Sequence, residues 1–202
     1  MCIVKFNSTW LKIMINCLYG IKLTDLPTPN PNRLIEFPQK ASKYFTITVT
    51  EEEASIVGAY ESSIARGWSA SNLLDGKGLD GNMNEGFCSH TISGRDVDNW
   101  FSLELAIPQK ISRVQITPRL DNKPDRAQNI RITIGPSKSY DPNEPLCLPE
   151  ISQLTMQEGL TNYNCTTPLH EGKFIKISRE APKLNLCEVK IFTLTDITSD
   201  SL

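Results

Sequence analysis

Short apolar runs with a period of two dominate this 202-residue chain from Phe45 onward. Successive side chains of a β-strand point to opposite faces of a sheet, so each run is expected to have one buried and one solvated face. Turn residues separate the runs, and no helical periodicity of comparable strength is present. The pattern predicts an all-β sandwich or jelly roll. The runs are Phe45/Ile47/Val49, Phe101/Leu103/Leu105, Val114/Ile116, Ile130/Ile132/Ile134, Ile175/Ile177 and Val189/Ile191/Thr193.

Two segments precede this strand-rich region. Residues 24–38 contain four prolines, which prevent regular structure and indicate a linker. Residues 10–21 are apolar, but the stretch is too short and interrupted to span a membrane. It has the features of a weak signal-peptide core, although a helix or a start upstream of the true one also explains it. We therefore expect an N-terminal extension at 1–40 (signal peptide plus Pro-rich linker), one domain at 41–196 and a tail at 197–202.

Charge and cysteine content narrow the class of protein. The 21 Lys and Arg oppose 23 Asp and Glu, which gives no electrostatic reason to expect nucleic acid or an anionic membrane as partner. The cysteines lack the C-x-x-C spacing of zinc sites. The last four suit two disulfides in an oxidising compartment, so a secreted protein is expected, and their spacing leaves three pairings open. The six are Cys2, Cys17, Cys88, Cys147, Cys165 and Cys187.

A long loop, residues 67–91, is rich in Gly, Asn and Asp. Asn72 and Asp75 beside a glycine turn offer the oxygens that Ca²⁺ prefers, although an Asx-turn explains this hexapeptide taken alone. His90 follows Cys88 by two positions, but no third group is present to orient a nucleophile–base pair. Glu188 follows Cys187, and if Cys187 pairs with Cys88 this carboxylate comes close to the same loop.

A second loop, residues 119–126, follows the Val114/Ile116 run and brackets two aspartates with two arginines. Guanidinium groups donate several directed hydrogen bonds and keep their charge, so Arg119 and Arg126 could grip the hydroxyls of a sugar. A solvated surface loop with weak ion pairs explains the same residues when they are considered alone.

Together, in this order, these segments resemble the fucolectin family, which belongs with the tachylectins and pentraxin-fusion proteins in a group of discoidin-like jelly rolls. The resemblance covers roughly Ile47 to Leu194 and includes a His followed by Arg119-x-Asp121-x4-Arg126. The segments that carry it are SNLLDG, FCSHT, NWFSLEL, the arginine loop, PLC, YNC and LCEVKIF.

The resemblance implies a discoidin-like jelly-roll β-sandwich with long ligand-binding loops at one end. It implies that His90, Arg119 and Arg126 hydrogen-bond fucose, and that Asp121 orients an arginine. It further implies a bound Ca²⁺ and two particular disulfides. The calcium ligands would be Asn72, Asp75 and Glu188, with main-chain oxygens near Lys77, Phe87 and Cys187, and the disulfides would be Cys88–Cys187 and Cys147–Cys165.

The sequence departs from the family pattern at the sugar. Asn122 and Lys123 replace two adjacent cysteines, and an aromatic residue expected near Asn84 is missing. The main interpretation is a calcium-dependent lectin for fucosylated glycans or glycoproteins, in which a homo-oligomer would raise avidity. The alternative is a calcium-binding adhesion or structural module for another glycan, a protein or a lipid headgroup. An enzyme is not expected, because no strong acid pair stands out.

Overall fold

The computed structural model describes residues 11–16, 44–92, 99–121 and 123–198. This part of the chain consists of strands joined by loops that contain short 3₁₀ helices. The strands are β1 (Leu11–Asn16), β2 (Tyr44–Glu53), β3 (Ile56–Glu61), β4 (Ser89–His90), β5 (Asn99–Pro118), β6 (Gln128–Gly135), β7 (Ile151–Gln153), β8 (Thr161–Asn164), β9 (Glu171–Arg179) and β10 (Asn185–Thr198). The 3₁₀ helices are Ala70–Leu73, Gly78–Asp80, Met83–Glu85 and Pro124–Ala127.

The chain divides into two compact units, with boundaries after Glu52 and after Thr193. In the smaller unit β1 pairs antiparallel with β2, with Leu11 opposite Val49. Leu11–Asn16 is therefore a strand, within the segment for which the sequence suggested a signal-peptide core or a helix. No helix in the described segments is long and apolar enough to cross a membrane.

The larger unit is a curled antiparallel sheet in which β10, β5, β9, β6 and β7 follow one another. The 20-residue strand β5 organises it. Its first half pairs with β3 and β9, and its second half pairs with β8 from Arg113 to Ile116. The register with β9 shifts between Glu104 and Gln109, where Ile107 is exposed. This shift in register divides β5 into two parts that pair with different strands. The predicted all-β sandwich is confirmed.

Alternating apolar residues of the main strands form one core, as the period of two predicts. The expectation of a solvated opposite face is wrong for β9, since Lys176 and Ser178 are fully buried. The segment after β6 covers this face, and Glu144 accepts a 2.5 Å hydrogen bond from Lys176. The core includes Phe101, Leu103, Leu105, Val114, Ile116, Ile130, Ile132, Ile134, Ile175, Ile177, Val189 and Ile191.

Two disulfides fasten the loops to the sheet. Cys88, just before β4, is bonded to Cys187 on β10, and Cys147 is bonded to Cys165 at the end of β8. These are the pairings that the resemblance implied. The first bond closes a large part of the chain and attaches the long loop directly to β10.

Candidate functional site

The loop between β3 and β4 is ordered by local hydrogen bonds. Asn82 accepts a hydrogen bond from the backbone of Asn84 and so begins the 3₁₀ helix Met83–Glu85. Gly81 and Gly86 end two of the short helices in left-handed conformations, with φ of 66° and 81°. Glycine adopts this geometry without strain, so the two glycines permit the tight turns that end these helices.

Glu188 is the buried carboxylate of this region, with 2% of its surface exposed. Backbone N–H groups of Gly76 and Gly78 donate hydrogen bonds to it. Its second oxygen, Oε2, has no hydrogen-bond partner among the described residues. Burial, followed by the negative charge of Asp75, raises the pKa of Glu188 to about 7. Because it is buried, this side chain does not belong to a solvated face of β10.

Asp75, Lys77 and Cys187, three of the other predicted calcium ligands, lie near this carboxylate. Asp75 accepts a 2.9 Å hydrogen bond from the backbone of Lys77, whose ammonium group lies 5.4 Å from the ring centroid of Phe87. Gly78 packs so closely on Cys187 that an added Cβ would lie 2.1 Å from the Cys187 carbonyl oxygen. The structure thus brings this carbonyl and both carboxylates to one loop–strand junction.

Asn72 joins the two ends of the loop. Its Nδ2 donates to the carbonyl oxygens of Gly86 at 2.9 Å and of Cys88 at 3.0 Å, on either side of Phe87. Since the amide nitrogen is used in this way, the Oδ1 atom remains as an oxygen donor for a cation.

These residues fit a hard cation. A buried carboxylate oxygen without a hydrogen bond, next to a second carboxylate, is costly unless a proton or a cation neutralises it. Asp75 and Glu188 supply two carboxylates, and carbonyl and amide oxygens would complete the set that Ca²⁺ uses. Within the described part of the chain, no group of three or more His, Cys, Asp or Glu side chains could hold a metal ion. The site would therefore depend on main-chain oxygens.

The arginine loop lies against the same region. Leu120 donates a 3.0 Å backbone hydrogen bond to Gly81, and a Cβ added at Gly81 would meet the Leu120 side chain at 2.4 Å. Arg119 donates a hydrogen bond to Asp121 through Nη2. Its Nε is buried without a partner in the described chain, and so is Oδ1 of Asp121. Asn122 lies outside the described residues.

His90 is the buried neutral base of the site. It is 8% exposed, and neither of its ring nitrogens has a hydrogen-bond partner among the residues that the structure describes. Burial, and after it the charges of Arg126, Arg119, Lys183 and Arg66 in that order, lower the pKa of His90 to about 4. The imidazole is therefore uncharged at neutral pH and can donate from one nitrogen and accept at the other.

Arg126 approaches His90 from the other loop. Its Nη1 donates a 3.0 Å hydrogen bond to Oδ1 of Asn185, and Asn185 lies opposite His90 in the pairing of β10 with β4. The structure thus brings His90, Arg119, Asp121 and Arg126 into one cluster, although two loops far apart in sequence supply them.

Two residues of this cluster are not predicted by sequence reasoning. The Trp68 ring stacks on His90, with centroids 5.9 Å apart and an interplanar angle of 27°. Asn185 positions Arg126. A tryptophan inside a Gly- and Asn-rich loop is the signal that could have identified the first. Asn185 carries no such signal, since it begins an ordinary alternating strand.

Comparison with known proteins places this arrangement in a family. No protein-family model matches the chain. Fucolectin-6 from Anguilla japonica is 31% identical over 160 residues, which cover 76% of this chain and 82% of that protein. The chain belongs to the fucolectin family. The resemblance noted from the sequence is confirmed, and a fucolectin fold explains why long loops on a β-sandwich carry the conspicuous polar residues.

Solved structures support the same fold. The fucolectin from striped bass (Morone saxatilis) serum matches with a TM-score of 0.58 and 24% identity over 70% of this chain. This chain spans 46% of the length of the bass protein. A fucose-binding module of Streptococcus pneumoniae matches with a TM-score of 0.54 and 22% identity, over 67% of this chain and 90% of the module. The lectin domain of lectinolysin, solved with Lewis b antigen, matches with a TM-score of 0.53 and 18% identity, over 71% of this chain and 93% of that domain. The predicted discoidin-like jelly roll is confirmed.

Proposed function

We propose that this fucolectin is a non-catalytic lectin that binds fucose-containing glycans through His90, Arg119 and Arg126. The observation that carries the proposal is the buried, neutral His90 beside two arginines, whose two ring nitrogens have no hydrogen-bond partner in the described segments. Polar atoms buried without partners are costly, and a polyhydroxyl ligand would satisfy them. The family membership and the fucose-binding neighbours support the choice of fucose.

Each side chain has a distinct task in this proposal. Arg119, held by Asp121, directs its remaining N–H donors at sugar oxygens, and the buried Nε is the first of them. Arg126 is held by Asn185 and offers its second amino group. His90 accepts at one nitrogen and donates from the other, which suits a hydroxyl group that does both.

Trp68 supplies the apolar part of the site. Its ring lies beside His90 and is half-buried, so one part of it remains open to a ligand. Aromatic faces pack well against the C–H groups of a sugar, and a methyl group extends that contact. Trp68 would replace the apolar surface that the two substituted cysteines and the absent aromatic residue provide in relatives.

We propose further that the loop holds a Ca²⁺ ion. Asp75 and Glu188 would ligate it with their carboxylates and Asn72 with its amide oxygen, while carbonyl oxygens near Lys77, Phe87 and Cys187 complete the shell. The ion would supply positive charge that neutralises two close carboxylates. The same ligand residues hold the loop that leads to His90, so less of this loop has to become ordered when a glycan binds.

The setting of the site agrees with an extracellular binding role. Cys88, the thiol closest to His90 in sequence, is locked in a disulfide and has no nucleophilic form. Two disulfides are typical of secreted proteins, so fucosylated glycoproteins outside the cell are the proposed partners.

Calorimetric titration of L-fucose into the oxidised protein, with calcium and with a chelator, tests this function. Saturable binding is expected with calcium, and Arg119→Ala should abolish it. Arg113→Ala is the matched control, because the Arg113 guanidinium carbon lies on the sheet, 3.6 Å from the centroid of the Phe192 ring. A protein that binds no fucose while calcium still raises its Tm would contradict the lectin proposal and favour the alternative adhesion module.

A further inference from the structure

Two basic residues outside the family motif flank His90. Arg66 follows Ala65, whose backbone N–H donates a 2.8 Å hydrogen bond to the His90 carbonyl. Lys183 precedes Leu184, whose carbonyl accepts a 3.1 Å hydrogen bond from the backbone of Thr91. Both segments are therefore fixed to the β4 region by backbone hydrogen bonds.

The backbone at these two positions is unusual. Arg66 has φ of 57° and Lys183 has φ of 65°, in the left-handed region that favours glycine. Asn129 is the third non-glycine residue of this kind in the described segments, and asparagine tolerates the conformation. Long basic side chains do not relieve such strain. Strained residues cluster at functional sites, which makes the charges of these two side chains candidates for ligand binding.

Contacts fix Lys183 and Arg66 near the rest of the site. Arg179 is 5% exposed and donates to the carbonyl oxygens of Asp125, at 2.6 Å, and of Lys183, at 3.2 Å, so it ties the arginine loop to the Lys183 segment. The Arg66 guanidinium carbon lies 6.0 Å from the ring centroid of Trp68, which stacks on His90.

The charges in this region do not balance. Among the described residues, two carboxylates, Asp121 and Asp125, lie in the arginine loop, and Asp121 already pairs with Arg119. Opposing them are Arg119, Lys123 and Arg126 of the same loop, together with Arg66, Arg179 and Lys183 of the adjoining segments, where Glu180 pairs with Arg131. A neutral sugar leaves this excess of positive charge uncompensated, whereas a ligand with a negative group would compensate it.

We propose that Arg66 and Lys183 form an anionic subsite that takes a sulfate ester or a carboxylate on the glycan, next to the fucose. This inference rests on the proposed fucose-binding function. Both anions present several oxygens, and guanidinium and ammonium groups recognise them by charge-assisted hydrogen bonds. The subsite gives this fucolectin a preference for acidic fucosylated glycans over neutral ones.

The test compares matched ligands by calorimetry in the presence of calcium. They are methyl α-L-fucoside, its sulfate ester, a neutral fucosylated oligosaccharide and the sialylated form of the same oligosaccharide. At least one acidic ligand should bind about tenfold more tightly than its neutral partner in dilute salt, and the ratio should fall as salt screens the charges. The sulfated and sialylated arms show which anion the subsite takes.

Glycine variants separate charge from folding. Arg66→Gly and Lys183→Gly should each lower the acidic-to-neutral affinity ratio roughly threefold or more, without lowering Tm, because glycine adopts a positive φ freely. Arg66→Lys should keep most of the ratio. Lys138→Ala is the control, since the Lys138 ammonium group lies over the Tyr60 ring and its charge helps to lower the pKa of Glu104. An equal fall of the ratio in Lys138→Ala would overturn the subsite, because net charge alone would then explain the preference.

The two proposals fail in different ways. Equal affinity for acidic and neutral ligands, with neutral fucoside still bound, overturns the anionic subsite and leaves the fucose proposal standing. Binding of none of the ligands overturns both. Binding of the acidic ligands alone supports the subsite and contradicts a site built for fucose by itself.

Discussion

Asn185 lies directly opposite His90 in the pairing of β10 with β4 and places Arg126 beside it. The Asn185 side chain is fully buried, accepts from Arg126 at 3.0 Å and donates to the Ser89 carbonyl at 3.2 Å. One amide therefore connects the histidine strand to the arginine loop. The spacing of the groups proposed to bind sugar depends on a residue that is itself buried.

Replacing this amide should weaken the site and the fold together. Asn185→Ala leaves Arg126 and the Ser89 carbonyl without a partner, which costs about 1–3 kcal/mol of stability. Fucose affinity should fall about tenfold, equivalent to about 1.4 kcal/mol, because Arg126 loses its fixed position. Calorimetry at a temperature where the variant remains folded measures this. Asn162→Ala, which removes an exposed acceptor of Arg113, is the control and should bind normally. Unchanged affinity in Asn185→Ala would show that Arg126 needs no positioning.

Acid should destabilise the protein through His90. Its pKa is about 4 when folded and about 6.5 when unfolded, so between these values the unfolded chain binds the extra proton. Stability is therefore fully present above pH 6.5 and falls as the pH drops toward 4. Urea unfolding at pH 7 and 4.5 should show a loss about 2 kcal/mol larger in the wild type than in His90→Gln. Equal losses would mean that His90 titrates normally and is not buried among cations.

Calcium should stabilise the protein through Glu188. At saturating calcium we expect a clear rise in Tm, and Glu188→Gln should abolish it because one carboxylate ligand is gone. In chelator the same variant should be no less stable than the wild type, since it removes the repulsion between Glu188 and Asp75. Glu85→Gln, a change at an exposed loop position, should keep the calcium response. A full response in Glu188→Gln would place the ion elsewhere.

The two disulfides should affect binding differently. Cys88 and Cys187 hold the long loop on β10, so replacing both with Ala should lower stability by about 2–5 kcal/mol and remove calcium and fucose binding. Replacing Cys147 and Cys165 is the matched control, since that bond joins the chain after β6 to the end of β8. It should lower stability but spare binding at temperatures where the protein stays folded. Loss of binding in the control alone would contradict this assignment.

The sequence predicts those elements whose pattern is local. The strands β6, β9 and β10 contain clear alternation and are found as predicted. The sequence does not predict β4, β7 or β8, because an alternating pattern cannot be recognised in two to four residues. The sequence shows separate apolar runs at Phe101 and Val114, but both belong to one strand, β5. The exposed Ile107 interrupts the alternation without ending the strand.

The candidate site divides in a similar way. Arg119 and Arg126 were identifiable because they match the Arg-x-Asp-x4-Arg motif of the family, and His90 because it precedes that motif, although the interval between them is a few residues longer than in relatives. Their roles stay predictions. Trp68 and Asn185 were not identifiable, because their importance lies in contacts with residues distant in sequence. Alternation also could not show that polar positions of β9 are buried, since the covering segment has no regular pattern.

The buried pair Lys176–Glu144 is the clearest case, and it can be tested by a double-mutant cycle. Lys176 is 0% exposed and Glu144 is 7% exposed, with 2.5 Å between Nζ and Oε2. Lys176→Met alone should destabilise the protein by about 3–5 kcal/mol, because it leaves a buried carboxylate without a partner. Adding Glu144→Gln should recover much of that loss, since a neutral amide is easier to bury than a charge. Urea unfolding of the four proteins measures the coupling. Additive losses would show that the two charges are solvated separately and that β9 keeps a wet face after all.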